Sequence, residues 1–369
     1  MTKGLEMQDC RMAFVGDVML GDSFFALGQG VASSVDKYDA GFLKDEILAK
    51  FAEHDLVFCN VESVLSDIGR RSWSLRARHM RGRPRSADLL ARWGIKVANV
   101  ANNHIFEQSF PAAIDTVENL QRAGVGVVGC GGEKKFKGDG EPLVLDCGSQ
   151  NIAVLGLCLR QEKYAFSGDM VVEHAEKVVS DCAAKNQAVV ILIHWGDEFM
   201  DRPRLEQRNL AKKFIDQGAC LVIGHHPHVV QGVEQIGDGL VAYSLGDFIF
   251  DGITDDSKWS FILSVEIFGR KVKSWRCIPV VRDEEHRPLF ACGERHKSIE
   301  SEIDRRCRLL KESVFDQKYE KAYVVERERL NSQARRRLYR VLAKRFLSFN
   351  PAFWPQILWR PVQRRIGKW

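Results

Sequence analysis

The chain has 369 residues, enough for one large α/β domain with an appendage or for two domains. Hydrophobic residues make up 45% and charged residues 28%, which are globular values, and no apolar run approaches the ~18 residues of a membrane span. The N-terminal segment lacks the apolar core of a secretory signal, and the ten cysteines form no CxxC pair. We therefore expect a cytoplasmic protein with reduced, buried thiols and no disulfide framework.

Charge is distributed unevenly along the chain. Residues 301–369 hold 18 basic and 7 acidic residues, whereas the other 300 residues carry 36 basic and 42 acidic ones. No acidic residue occurs from Leu330 to Trp369. We therefore predict a body over residues 1–290 and a basic, helical C-terminal extension over residues 291–369.

Strand and helix patterns alternate through the first two thirds of the chain. The predicted strands lie at residues 11–15, 55–59, 95–101, 124–132, 188–193, 219–223 and 240–244. The predicted helices lie at residues 40–54, 86–93, 111–123, 171–186 and 203–217. Two hairpins are expected, at residues 143–157 and 260–281. The mixture is typical of an α/β fold with added antiparallel hairpins.

Five of the predicted strands are followed by side chains that can bind metals. These are Asp17, then Asn60 and Glu62, then Asn103 and His104, then His194, and finally His225, His226 and His228. Alone, each could be a turn residue, a helix cap or a packed histidine. Because ligands gather outside the carboxyl ends of strands in α/β sheets, the conjunction predicts a metal centre.

The predicted ligands are oxygen and imidazole groups, without thiolate. This set favours Mn, Fe, Zn or Mg over a structural zinc site, and it is large enough for one or two divalent ions. Two ions about 3.5–4 Å apart that share a carboxylate are suited to phosphoryl transfer. His104, beside Asn103, would suit a general acid for the leaving group.

Six motifs in fixed order resemble the CapA family of poly-γ-glutamate capsule synthesis proteins, within the calcineurin-like metallophosphoesterase superfamily. They are Gly16–Gly21, Asn60–Glu62, Ala101–His104, His194–Gly196, Gly224–His228 and Tyr243–Gly246. The resemblance runs from about residue 11 to about residue 282. It implies a four-layer α/β/β/α sandwich with the site where the two sheets meet.

The resemblance also implies roles for the motif residues. Asp17 and His228 would bind a first metal, whereas Asn103, His194 and His226 would bind a second, with His104 as proton donor. Glu62, or less suitably Asn60, would bridge the metals, because a bridge between two dications needs the charge that Asn lacks. His225 is expected to support the site or to pack.

Three positions depart from the wider pattern. Met19 stands where the superfamily has a histidine ligand, as is usual in the CapA branch. Glu107 stands for the usual aspartate after the Asn-His motif, and Asp247 replaces an asparagine. Asp247 adds a carboxylate near the site, and we count it among the substrate-binding candidates.

An arginine-rich segment follows the Asn60–Glu62 motif. Arg76, Arg78, Arg81 and Arg83, with Arg71 and Arg85 beside them, could form a lid that recruits a polyanionic polymer or a phosphoester. The alternative is a solvated basic loop. Trp195 could line the substrate cleft or support the neighbouring ligand His194.

The tail combines basic residues with an apolar stripe. Leu338, Leu342, Phe346 and Phe349 share one predicted helical face, and Trp354 and Trp359 follow. Residues 330–369 could contact an anionic membrane surface or another polyanion, or pack on the body or a partner; nucleic acid is the least favoured ligand.

Three functions fit these observations. The first is a dinuclear, metal-dependent phosphoesterase-like hydrolase that acts on phosphoesters or on amide bonds of a polymer, in the biosynthesis of a capsule or surface polymer (poly-γ-glutamate or polysaccharide). The second is a non-catalytic, polyanion-binding assembly or export factor of a capsule machinery. The third is a module at the membrane periphery with the sandwich as scaffold. We expect a cytoplasmic location, peripheral to the inner face of the membrane.

Overall fold

The computed structural model describes residues 9–69, 74–130, 141–160, 168–312 and 315–365. In chain order, the strands are β1 (Cys10–Val18), β2 (Leu56–Val61), β3 (Val64–Leu65), β4 (Arg81–Gly82), β5 (Val97–Asn99), β6 (Gly126–Val128), β7 (Leu143–Cys147), β8 (Gln150–Cys158), β9 (Ala188–His194), β10 (Ala219–His225), β11 (Val233–Ile236), β12 (Gly239–Ala242), β13 (Asp247–Ile249), β14 (Trp259–Phe268), β15 (Lys271–Arg282) and β16 (Pro288–Phe290). The α-helices are α1 (Val31–Tyr38), α2 (Asp45–Ala52), α3 (Leu75–Arg78), α4 (Ser86–Arg92), α5 (Phe110–Arg122), α6 (Gly168–Ala184), α7 (Leu205–Asp216), α8 (Gly293–Glu312), α9 (Gln317–Arg345) and α10 (Trp354–Arg365).

Two large sheets form the centre of the fold. The first has the strand order β16-β15-β14-β1-β2-β5-β6, with β13 also paired to β1, and the second has the order β11-β12-β10-β9-β8-β7. Strands β1, β2, β5 and β6 run parallel, as do β8, β9, β10 and β12. The carboxyl ends of several strands therefore lie together in each sheet.

The side chains of β1 show how the layers form. Met12 and Phe14 enter the core between the two sheets, whereas Ala13 and Val15 enter the core between the first sheet and its helices. This alternation is the two-residue period of a strand that is buried on both faces. A third core lies outside the second sheet, where Phe214 of α7 packs. The predicted four-layer α/β/β/α sandwich is confirmed.

The sequence pattern missed some short elements. The predicted helix over residues 40–54 is an α-helix only over Asp45–Ala52, after a 3₁₀ turn at Asp39–Phe42. Helix α1 was not predicted, because its only large buried apolar residues are Val31 and Val35. Strand β13 has three residues, too few to show a two-residue period.

A disulfide joins the two sheets. Cys10 at the start of β1 is bonded to Cys147 at the end of β7, with 5.9 Å between their Cα atoms. The prediction that all thiols are reduced is therefore wrong for this pair. The two cysteines are 137 residues apart, and only the packing of one sheet on the other brings them together. Disulfides are typical of oxidising compartments, so this bond does not support the predicted cytoplasmic location. That location stays a prediction.

The helical C-terminal extension packs onto the sandwich. Ile299 and Ile303 of α8 belong to the core between the sheets. Arg306 of α8 is buried and donates from Nη1 to the carbonyl oxygen of Val230 at 2.5 Å. The boundary at residue 290 stays a prediction. In the described ranges, no helix is both long and apolar enough to cross a bilayer.

Candidate metal centre

Strand register places the predicted ligands in two rows. In the first sheet, Asp17 of β1 pairs with Asn60 of β2 and with Asp247 of β13. In the second sheet, His225 of β10 pairs with His194 of β9. The rows meet where the sheets pack together, because His225 Nδ1 lies 3.2 Å from Asp17 Oδ1. Residues more than 170 positions apart along the chain thus share one edge of the sandwich.

The loop after β10 has an unusual backbone. His226 and His228 have φ angles of 98° and 57°, a region that residues with side chains rarely adopt. The His226 amide donates to Asp17 Oδ2 at 3.2 Å, which ties this loop to the first sheet. Gly224 must lack a side chain, since a Cβ there would lie 1.9 Å from the Tyr243 carbonyl oxygen. Such conformations cluster at functional sites, where the surroundings hold them in place.

Glu62 lies at the centre of the cluster. It is fully buried, and both carboxylate oxygens lack a hydrogen-bond partner among the described residues. Its Oε1 lies 3.7 Å from His194 Nε2 and 3.8 Å from the Nε2 atoms of His104 and His228. Burying a carboxylate without donors costs several kcal/mol, on the order of 1–3 even for a neutral polar group. The arrangement therefore calls for a cation.

Two groups of potential ligands share this carboxylate. One contains Glu62, His194 and His226, and the other contains Asp17, Glu62 and His228. Within each group the ligand atoms lie within 4.8 Å of one another. Both ring nitrogens of His226 are buried without a hydrogen-bond partner in the described part of the chain. The donor set fits two divalent cations with a shared carboxylate.

Burial and mutual charge shift the acid–base properties of these groups. Burial, with the Asp17 charge, raises the pKa of Glu62 well above its ordinary value. Burial lowers the pKa of His194 and of His226 well below the ordinary histidine value. Burial opposes protonation of His228, but its acidic neighbours, Glu62 first, raise its pKa well above the usual range. His194 and His226 are thus neutral, the form that binds metals.

His104 is the most accessible imidazole of the cluster, with 13% of its side chain exposed. Its Nδ1 lies 3.4 Å from Glu107 Oε2, and its Nε2 faces Glu62. The ring also makes an edge contact with His79, at 5.9 Å between centroids. The imidazole is therefore held between two carboxylates, with its exposed part available to a ligand.

The two asparagines differ in their contacts. Asn60 donates to Asp17 Oδ1 at 2.8 Å and accepts from Asn99 Nδ2 at 3.1 Å. Asn60 therefore orients Asp17, and its amide oxygen is already engaged. Asn103 accepts from His194 Nε2 at 2.9 Å, next to the group formed by Glu62 and His226. Asn99 was not singled out from the sequence, because it lies inside the predicted strand 95–101, whereas strand β5 of the structure ends at Asn99.

Asp247 lies beside His228. It is fully buried, and His228 Nδ1 donates to its Oδ1 at 2.9 Å. Arg282 Nη1 donates to the Asp247 carbonyl oxygen at 2.5 Å, and Arg282 Nη2 lies 3.6 Å from Asp247 Oδ2. These contacts show that the Asp247 carboxylate orients His228, so the predicted substrate contact of Asp247 is disfavoured. Arg282 was missed because the sequence presents it only as the end of a hairpin strand.

Trp195 is a packing residue. It is 1% exposed, its indole N–H donates to the Tyr243 carbonyl oxygen at 2.9 Å, and the two rings stack at 6.0 Å. Trp195 also lines a cavity of about 310 Å³ together with Arg160, Asp197 and Arg204. Its burial favours the alternative of support for His194, and the substrate contact stays a prediction.

Most of the arginine-rich segment is engaged within the protein. Arg81 Nε donates to the Ser66 carbonyl oxygen at 2.8 Å. Arg83 donates to Asp36 of α1 at 2.6 Å, so substrate contact by Arg83 is disfavoured. Arg71 lies outside the described residues.

The other two arginines are nearer to functional neighbours. Arg78 lies over the ring of Phe353 in the C-terminal extension, 5.4 Å from its centroid. Arg76 Nε lies 3.8 Å from Glu107 Oε1, and its side chain is 42% exposed. Because Glu107 contacts His104, Arg76 is the arginine of this segment that the structure brings to the candidate site.

The extension reaches the loop that follows His194. Asp197 of this loop lies 3.6 Å from Arg160, 3.3 Å from Arg204 and 3.6 Å from Arg327 of α9. The ion pair between Asp197 and Arg327 joins this loop to α9. Because the loop follows β9, α9 is also linked to the end of that strand. No sequence signal indicated this contact, because no motif links the tail to the end of β9.

A second contact fixes the start of α9. Its Tyr319 donates to the Pro203 carbonyl oxygen at 2.7 Å, and Glu320 accepts from the Leu205 amide at 2.9 Å. The Leu205 amide belongs to the first turn of α7, so Glu320 also satisfies a free donor of that helix.

A cavity of about 660 Å³ lies between this loop and α9. Its lining includes Asp197, Glu198, Phe199, Arg160, Ile253, Arg327, Glu328, Asn331, Ser332, Ala334, Arg335 and Leu338. Phe199 also donates its amide to the carbonyl oxygen of Pro227, between the two histidines of the β10 loop, at 2.7 Å. The cavity is therefore at the edge of the sandwich that carries the candidate metal centre.

A four-layer sandwich with carboxylates and imidazoles gathered at its strand ends defines the metallophosphoesterase class of fold. The model of the family described as bacterial capsule synthesis protein PGA_cap matches residues 11–252. The chain therefore belongs to this family.

Two Bacillus proteins are similar to the chain. Capsule biosynthesis protein CapA of Bacillus anthracis is 26% identical over 262 residues, which cover 68% of this chain and 62% of that protein. PGA biosynthesis protein CapA of Bacillus subtilis (strain 168) is 25% identical over 247 residues, covering 65% and 63%. The match thus spans less than two thirds of either relative.

Solved structures show weaker similarity. A phosphatase of Mycoplasma pneumoniae has 13% identity and a TM-score of 0.48, covering 74% of this chain and 94% of that one. The protein TT1561 of Thermus thermophilus has 11% identity and a TM-score of 0.40, covering 71% and 100%. Both scores are below 0.5, so these similarities support no conclusion about function.

Proposed function

We propose that the chain is a metal-dependent hydrolase of the phosphoesterase type that acts in capsule or surface-polymer biosynthesis. The observation that carries the proposal is Glu62, a buried carboxylate that lacks hydrogen-bond donors among the described residues and belongs to two separate ligand groups. A shared carboxylate is the feature that lets two cations act on one phosphoryl group.

In this proposal each ligand group holds one cation. Asp17 and His228 would hold the first, His194 and His226 would hold the second, and Glu62, which belongs to both groups, would serve both. Two bound cations such as Mn, Fe, Zn or Mg supply charge stabilisation for the transferring group and a nucleophile at neutral pH. Asn103 remains a candidate ligand for the second cation, because its amide oxygen faces His194.

His104 is proposed as the proton donor to the leaving group. Glu107 Oε2 lies 3.4 Å from Nδ1, and in this proposal Nε2 carries the proton that is transferred. A carboxylate in this position also fixes the ring orientation. The partly exposed Arg76 lies beside Glu107 and partly neutralises its charge.

The proposed substrate is a polyanionic polymer, such as poly-γ-glutamate or an acidic polysaccharide, or a phosphoester attached to it. The capsule functions named for the relatives support this class. The cavity beside α9 offers Arg335 as an exposed cation and Arg327 as a cation shared with Asp197. The proposed substrate contacts are therefore Arg76 and the cavity residues Arg327 and Arg335. Arg78, Arg81 and Arg83 are less suitable, because each already has a contact within the protein.

The test measures metal content and hydrolysis together. The protein is purified with Mn, its metals are quantified, and hydrolysis of p-nitrophenyl phosphate is followed for the wild type, His104→Ala and His194→Ala. We expect both variants to lose activity, but only His194→Ala to lose metal. A folded, metal-free and inactive wild type would overturn the proposal and favour a non-catalytic polyanion-binding assembly or export factor.

A further inference from the structure

The last part of the extension has an inner and an outer face. The inner side chains form an apolar cluster of Leu342, Phe349, Phe353 and Ile357 with Phe24 and Leu75 of the body. Gln356 also accepts from the Leu75 amide at 2.8 Å. The segment is thus anchored on the sandwich, and its other side chains face outward.

Three large apolar residues lie on the outer face and form what we call the outer patch. Leu347, Leu358 and Trp359 are 83%, 68% and 57% exposed. The rings of Phe346 and Trp354 stack at 5.1 Å, which brings the segment of Leu347 next to the start of α10. Single exposed apolar residues are ordinary, but three within thirteen residues on an anchored segment form an unpartnered apolar surface in the described part of the chain.

The chain segment that carries the outer patch has charge of one sign. The sequence has no acidic residue from position 330 to its end at 369. Arg336, Arg340 and Lys344 of α9 are exposed just before the patch. Leucine and tryptophan beside cations are the composition that binds at the headgroup level of an anionic bilayer.

We propose that the outer patch and the basic residues beside it bind the surface of an anionic lipid membrane. Cations attract the lipid headgroups, and Leu347, Leu358 and Trp359 enter the boundary between headgroups and acyl chains. A second copy of the chain is disfavoured as the occupant, because bringing together two such cationic surfaces adds like-charge repulsion. An acidic polymer would pair with the cations but would give no reason for the exposed leucines.

Flotation with lipid vesicles tests this proposal on the full-length chain. One set of vesicles contains phosphatidylcholine alone, and the other contains phosphatidylcholine with phosphatidylglycerol. We expect binding to the anionic vesicles only, and weaker binding at high salt. Leu358→Asp and Leu347→Asp should each lower the partition constant by about tenfold or more, since each loses an apolar insertion.

Val325→Asp is the matched control. Val325 lies on α9 of the same extension and is 68% exposed, as Leu358 is, and the substitution changes the charge by the same amount. It should float almost as the wild type does. Thermal unfolding of all variants shows whether each is folded.

Several outcomes overturn the proposal. They are absence of flotation, equal binding to both vesicle types, an equal loss in Val325→Asp and Leu358→Asp, or unaltered binding in Leu358→Asp. A wild-type dimer that Leu358→Asp dissociates, without vesicle binding, would make the patch an interface between copies. None of these outcomes bears on hydrolysis, which is measured separately.

Discussion

Two buried carboxylates of this protein have raised pKa values but very different surroundings. Asp251 accepts from the Ser23 amide at 2.8 Å and from the Ser23 hydroxyl at 2.5 Å. Glu62 has no such donor among the described residues, and imidazole nitrogens lie 3.7–3.8 Å from its Oε1. Burial raises the pKa of both acids, that of Asp251 to about 7.

The difference separates a structural acid from a candidate ligand. Asp22 lies beside Asp251, and its carboxylate also accepts from backbone and hydroxyl donors, at 2.9 Å from Gly28 and 3.1 Å from Ser33. A cluster of buried acids is therefore not by itself a metal site. What distinguishes Glu62 is that it is fully buried and has no hydrogen-bond donor among the described residues, although three imidazoles lie around it.

The largest effect is expected from removing the shared carboxylate. Glu62→Gln should lose both cations, whereas His226→Ala and His228→Ala should each lose one, because each belongs to one ligand group. Hydrolysis of p-nitrophenyl phosphate should fall roughly 10³-fold or more in all three. Metal stoichiometry by mass spectrometry is the decisive measurement.

Asp251→Asn serves as the control for that comparison. It removes an equally buried carboxylate whose donors are internal, so the metal content and turnover should be unchanged. Loss of metal in Asp251→Asn, or full metal content in Glu62→Gln, would contradict the distinction between the two acids.

A smaller effect is expected when His104 is changed. His104→Ala should lower kcat by roughly 10²-fold or more, since it removes the proposed proton donor. Its metal content should stay at the wild-type level, because His104 belongs to neither ligand group. A matched loss of metal and kcat would show that His104 is a ligand instead.

The next effect concerns the residue that orients a ligand. Asp247→Asn weakens the hold on His228 Nδ1, so affinity for the cation at Asp17 and His228 should fall roughly 10–100-fold. The cation at His194 and His226 should be retained. Calorimetric titration of metal-free protein resolves the two sites; equal weakening of both would argue against separate groups.

The positions of the ligands could be predicted because they depend on strand ends. A buried strand followed by a polar motif is visible in sequence, and parallel strands bring their carboxyl ends together, as with Asp17 and Asn60. The resemblance to a known family then supplied the partition between two metals. The alternation of strands and helices predicted an α/β fold, and the four-layer arrangement came from the resemblance alone.

Contacts between distant segments could not be predicted. The burial of Trp195 and Asp247 depends on which side chains cover them, and local sequence does not contain that information. The same holds for the pairing of Arg83 with Asp36 and for the cavity wall formed by α9. A dense run of arginines indicates positive charge, but only the folded chain shows which of these charges are already paired.

The smallest effect tests Asp251 itself through the pH dependence of stability. Its pKa rises from an ordinary value of 3.8 to about 7 on folding, so the folded state binds the proton more tightly. Protonated Asp251 therefore stabilises the folded state relative to the unfolded state. This contribution is complete below pH 3.8 and is lost as the pH rises through about 7. Asp251→Asn removes this titration. The free energy of unfolding of the variant, taken relative to that of the wild type, should therefore be higher at pH 8 than at pH 5 by ~1–3 kcal/mol. Urea unfolding at both pH values, with a chelator present, measures the change.

The comparison at two pH values isolates the titration of Asp251 from its hydrogen bonds. A Ser23 hydrogen bond that the asparagine fails to reproduce weakens the variant by the same amount at each pH, so that loss cancels in the difference. Parallel curves for the two proteins would mean that the Ser23 donors already keep Asp251 ionised at neutral pH. The contrast with Glu62 would then become larger, because internal donors alone would suffice to hold a buried charge at Asp251, whereas Glu62 has none among the described residues.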